Sequence, residues 1–191
     1  HPCKVEVVTD SEYVKNGKIQ SGSFKVFGAR VYGLLDVLKD RVSIYVDEQV
    51  APGSSASREV FALLRPSQGS LWVKVGRFFP PYGRRLEDDE ALVRRATGFN
   101  FASNDTGVEV GFEPGRWSLQ AAVTNGAGGA GENNNGKQVS LIGSYVRSAF
   151  RIGLSASNND LPLDARRLLA GIFGGAKAGP VVFLDTPVGL A

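Results

Sequence analysis

Residues 71–83 read LWVKVGRFFPPYG. Successive side chains of a strand point to opposite faces, so Leu71, Val73 and Val75 would share one face and Trp72, Lys74 and Gly76 the other. Pro80 and Pro81 then end the strand, because neither has an N–H to give to a ladder. Charged and irregular positions follow as far as about Phe99, and alternation then resumes. A strand that is aliphatic on one side and charged on the other, with a long charged loop at its end, predicts a wall between lipid and water.

The same period recurs along the chain. A strand over 24–35 turns at 36–40 into a second over 41–50, where Val42, Ile44 and Val46 oppose Ser43, Tyr45, Asp47 and Gln49. A run over 58–65 precedes the strand already described. Beyond the charged loop, Thr106, Val108, Val110 and Phe112 alternate with Gly107, Glu109, Gly111 and Glu113. Next, Trp117, Leu119, Ala121 and Val123 alternate with Ser118, Gln120, Ala122 and Thr124. Later runs set Val139, Leu141 and Tyr145 against Gln138, Ser140 and Ser144, and Phe150, Ile152 and Leu154 against Arg151, Gly153 and Ser155. Two further runs, over 166–176 and from 181 onward, bring the expected number to about ten strands. The fold class predicted is all-β: an antiparallel up-and-down transmembrane barrel over 23–191, incomplete, after a lead-in segment 1–22 that is either a periplasmic segment or a strand of its own.

Connection lengths carry a second signal. The turns at 36–40, 66–70, 113–116, 147–149 and 177–180 are short, whereas 51–57, 80–98, 125–136 and 158–165 are longer and polar. In a meander every second connection lies on the same rim, so long loops would share one end, as they do in outer-membrane barrels. Phe112, Trp117, Tyr145 and Phe150 all take the outward parity close to short turns, which predicts an aromatic belt at one membrane interface. Aromatics suit any strand, however, and a soluble β-barrel or sandwich is the competing architecture.

Composition narrows the function classes. No run of about 18 apolar residues exists, which removes a transmembrane helix but not transmembrane strands. The net charge of +3 is spread along the chain and gives little footprint for nucleic acid. Cys3 stands alone, so an intramolecular disulfide and a Cys-rich metal site are excluded. His1 could be the tail of a Cys-x-x-Cys-His haem site, though Cys3 and His1 more simply belong to the lead-in. Met is absent, so the chain reads as a mature protein or an internal fragment. With no Ser-His-Asp set, no phosphate-binding Gly-Lys-Ser/Thr motif and no paired carboxylates in a cleft, catalysis is not expected and no catalytic or metal-binding residue is nominated.

WVKVGRFFPPYG resembles the Gly-x-Phe-x-x-Pro-aromatic-Gly strand end of bacterial outer-membrane porins, notably the phosphate-selective group. The matching positions are Gly76, Arg77, Phe78, Pro80 or Pro81, Tyr82 and Gly83. The resemblance implies a Gram-negative outer-membrane barrel, often a homotrimer, conducting small hydrophilic solutes with no cofactor. Two departures qualify it. The inward set mixes Asp47, Glu109 and Glu113 with Lys74 and Arg151, so anion selectivity is not carried over. The chain stops at Gly189-Leu190-Ala191 and not at an aromatic residue.

The expected lumen is lined by Ser43, Tyr45, Asp47, Gln49, Lys74, Glu109, Gln120, Thr124, Gln138, Ser140, Ser144, Arg151 and Ser155. The charged loop sets Arg84, Arg85, Arg94 and Arg95 around Glu87, Asp88, Asp89 and Glu90. Folded inward it would be a constriction loop with a transverse field; left outside it would be a solvated surface loop. Two alternatives to a channel stay open: a barrel that sheathes or anchors a partner such as a redox conduit, and a soluble β-barrel that binds carbohydrate or lipid.

Overall fold

The computed structural model describes residues 4–12, 23–51, 56–66, 69–83, 97–99, 103–128, 130, 135–161, 165–177 and 181–190. They form eleven strands, not ten: β1 (Lys4–Glu12), β2 (Ser23–Leu38), β3 (Val42–Ala51), β4 (Ala56–Leu64), β5 (Leu71–Phe78), β6 (Asp105–Phe112), β7 (Trp117–Thr124), β8 (Gln138–Val146), β9 (Phe150–Asp160), β10 (Arg166–Lys177) and β11 (Val181–Leu190). The additional strand, β1, lies within the lead-in segment and pairs along β2. All belong to one sheet in sequence order, and each pairs antiparallel with the next. β1 and β11 are its two edges, so the sheet is an open meander in which both edge strands run the same way.

Local chemistry sets the hairpins. β2 runs past the expected end at 35 because Asp36 pairs with Ser43 and accepts its hydroxyl hydrogen bond at 2.7 Å. Asp40 then takes a left-handed conformation that its short polar side chain tolerates (φ 60°), and Arg41 N–H closes the turn on Leu38 O at 3.0 Å. Between β8 and β9, Arg147 N–H bonds Phe150 O at 2.8 Å, which leaves a two-residue hairpin loop.

The expected sorting of connections holds in part. The long ones, 79–104 and 125–137, lie on the rim opposite 39–41, 65–70, 113–116 and 147–149. On that same rim, however, 52–55 and 161–165 are no longer than 65–70. Asn158 and Asn159, expected in a loop, pair with Leu168 and Arg167 instead, and Leu161 N–H closes on Ala165 O at 2.8 Å. Their polarity suggested a loop, but strand backbone is held by the ladder whatever the side chain.

Burial is inverted relative to a water-soluble sheet. Along β6 to β9 the aliphatic face is open, with Leu154 62% and Leu141 48% exposed, while Glu109 is 2% and Ser140 1% exposed on the other. Soluble proteins bury the first kind and expose the second. Tyr82, just beyond β5, packs with Leu169 of β10, so the sheet curls around its polar side, which is concave and covered.

Candidate functional site

Pairing places the concave residues in rows across the strands. One row runs Asp36, Ser43, Leu63, Lys74, Glu109, Ala122, Ser140, Ser157, Leu169. Its left and right halves differ in chemistry.

On the β3–β6 side, rings and charges fill the face. Lys74 and Glu109 are directly paired across β5 and β6, and Lys74 Nζ donates to Glu109 Oε2 at 2.7 Å, both buried. The ammonium also lies 4.9 Å from the Phe61 ring centre, 5.2 Å from Phe78 and 5.3 Å from Trp72. Such a charge is stable out of water only with a close counter-charge and surrounding π faces. Glycines allow close approach, of backbone at one position and of a ring at another. Gly76 pairs with Phe61 at φ 136°, and a Cβ there would lie 2.3 Å from Val60 O. A methyl on Gly111 would sit 2.1 Å from the indole of Trp72, which lies against it. Nearer the rim, β4 carries one extra residue opposite Asp47 and Glu48, namely Arg58. Such a bulge re-aims a side chain: Arg58 Nε comes within 3.6 Å of Asp47 Oδ2, with its guanidinium 5.6 Å from the Phe79 ring.

On the β7–β9 side the face is hydroxyl and amide. Gln138 Nε2 donates to Ser157 Oγ (3.1 Å) and Ser140 Oγ (3.3 Å), and the two serines share a bond of 3.1 Å. Arg151, toward the short-turn rim, donates to Ser144 Oγ at 3.3 Å and lies 5.5 Å from the Phe173 ring. Thr124 Oγ1 and Ser155 Oγ are buried with no hydrogen-bond partner among the described residues.

A strap joins the halves. After Phe78, fully buried, Phe79 N–H bonds Glu59 Oε1 of β4 at 3.3 Å, and Pro80, Pro81, Tyr82 and Gly83 are all buried. Tyr82 stacks on Phe99 at 4.4 Å and 16°, and the pair packs on Leu169 of β10. The strap therefore starts at β5 and reaches β10 across the hollow. Asn104 returns the chain to the wall, accepting from Arg77 at 2.7 Å and donating to Ser57 O and Arg58 O at 2.9 and 2.7 Å. Within the motif, then, Gly76 lets β5 lie close against the β4 backbone, the prolines redirect the chain and Tyr82 docks it.

Ser43, Tyr45, Asp47, Gln49, Lys74, Glu109, Gln120, Thr124, Gln138, Ser140, Ser144, Arg151 and Ser155 all take the concave parity. Glu113, expected inward in the strand, sits exposed in the turn 113–116 and accepts from Ser118. On the convex face Trp117 meets Tyr145 at 4.8 Å and Tyr145 meets Phe150 at 6.1 Å, with Phe112 exposed across the 113–116 turn. Arg84, Arg85, Glu87, Asp88, Asp89, Glu90, Arg94 and Arg95 lie outside the described residues, as do Cys3 and His1. Sequence reasoning missed Phe61, Leu63, Leu169 and Phe173 on the inner face. For Phe61 and Phe173 the signal was present as an aromatic opposite a glycine, Gly76 and Gly153, which becomes legible once register is known.

No protein-family model matches the chain, and no curated protein and no solved structure does either.

Proposed function

We propose that this sheet is part of the wall of an outer-membrane β-barrel that conducts small hydrophilic solutes by passive diffusion. The observation that carries the reading is the inverted burial: exposed aliphatic side chains outside, covered polar ones inside. Strands of 8–12 residues across most of the sheet match the thickness of a bilayer crossed at a tilt. Trp117, Tyr145 and Phe150 cluster on the aliphatic face beside the short turns, as a belt of rings at a headgroup interface would require. The shallow apolar depression over Ala121, Gly143, Ala156 and Ala170 suits lipid chains or a neighbouring copy in a trimer. Since β1 and β11 run the same way, closing the wall antiparallel throughout takes an odd number of further strands. The strap through Tyr82 and Phe99 narrows the lumen.

The test is single-channel conductance in a planar bilayer, comparing the unmodified chain with Tyr82→Ala and Phe99→Ala. Stepwise openings that grow when the strap loses its ring stack support the channel. Folded, inserted protein without openings would refute it. The packed β3–β6 half gives a second reading some ground, that of a filled barrel sheathing or anchoring a partner, and that null result would favour it.

A further inference from the structure

The hydroxyl half of the concave face has more polar atoms than its own bonds use. Thr124 is 2% and Ser155 6% exposed, and neither hydroxyl has a partner among the described residues; the same holds for Asn159 Oδ1, although its Nδ2 donates to Gly126 O at 3.1 Å. A buried hydroxyl left without a bond is destabilising, and a site lined by several polar groups is where water is held. Here the groups are in series. Thr124 pairs with Gln138, Gln138 with Asn159, and Ser140 with Ser157. Ser155 lies two residues beyond Ser157 on the same face, and Ser144 with Arg151 continues toward the short-turn rim. Same-face neighbours along a strand are about 7 Å apart, a gap that one or two bridging waters span. Among the described residues no carboxylate takes the concave parity on β7–β10, and Arg151 and Arg167 stand toward opposite ends of the row.

From these positions we infer that the inner face of β7–β9 carries a file of water, a water-permeable path narrower than any solute route through the same wall. The inference rests on the membrane-wall reading. It differs from that reading in naming the permeant and the strands that carry it.

The experiment is stopped-flow osmotic shrinkage of vesicles holding the unmodified chain, a Thr124→Val/Ser155→Ala double variant, and a Thr124→Ser/Ser155→Thr variant that keeps both hydroxyls. Ion conductance is measured on the same preparations. The expected result is that the hydroxyl-less variant loses about three- to tenfold in water permeability, the size of one or two lost hydrogen bonds. The hydroxyl-retaining variant stays near the starting value, and any change in ion conductance is smaller than the loss of water permeability. Equal water permeability in all three folded proteins would overturn the water file while leaving the channel in place. If even the unmodified chain moves neither water nor ions above protein-free vesicles, the channel reading fails and the file with it.

Discussion

The two halves of the concave face solve one problem differently. Both put polar groups where a soluble sheet would put its core. The β3–β6 half neutralises them, setting Lys74 against Glu109 within three aromatic rings and Arg58 beside Asp47. The β7–β9 half spreads them as hydroxyls and amides, with Arg151 toward one rim, that bond one another only in part. A buried charge that loses its partner is strongly destabilising, whereas a hydroxyl that loses its partner can turn to water. The first half is therefore the costlier one to disturb, and the second is the half we propose to be permeable.

That contrast can be broken in order of expected effect. Glu109→Ala strands the Lys74 ammonium and should destabilise the folded protein by about 3–5 kcal/mol. Replacing both residues with Met should recover most of that loss, read as the urea midpoint of protein folded into vesicles. A single variant no worse than the double would show that the pair is not desolvated. Outer-face substitutions should ignore the contrast: Val75→Arg on β5 and Leu154→Arg on β9 should each lose about 2–4 kcal/mol in lipid. A large difference between these two would mean that only one half faces the bilayer. Gly111→Ala drives a methyl into Trp72 and should lose about 1–3 kcal/mol by overpacking, seen also as altered indole fluorescence. The mildest change belongs to the hydroxyl half. Ser157→Ala removes two bonds from a site that water can enter and should shift stability by about 1 kcal/mol or less. A loss equal to that of Glu109→Ala would erase the distinction.

Much of the wall is legible in the sequence. Over 42–50, 71–78, 105–112 and 117–124 the alternation alone assigns each residue to a face, because the period of two leaves no other arrangement for a ladder. What lies across the hollow is not legible. Parity places Lys74 and Glu109 inside, but their direct pairing needs the β5–β6 register, and Phe61 over Gly76 needs the β4–β5 register. Asn158 and Asn159 show the limit on strand ends, since polar side chains suit a loop while backbone bonds to β10 keep them in a strand. The strap was hidden for a different reason. Charge between the prolines and Phe99 fits a solvated loop as well as a lumenal one, and only the contact of Tyr82 and Phe99 with Leu169 brings its two ends inside.

The most direct measurement is an accessibility scan along β8. Cys3 is replaced, a nitroxide is placed in turn at each position from Gln138 to Val146, and collisions with oxygen and with a water-soluble nickel chelate are recorded for protein in vesicles. An inverted wall predicts a period of two, with oxygen contact highest at Val139, Leu141, Gly143 and Tyr145 and lowest at Gln138, Ser140, Ile142 and Ser144. Equal oxygen contact on both faces, or nickel contact highest at Val139 and Leu141, would contradict it and place the aliphatic face in water.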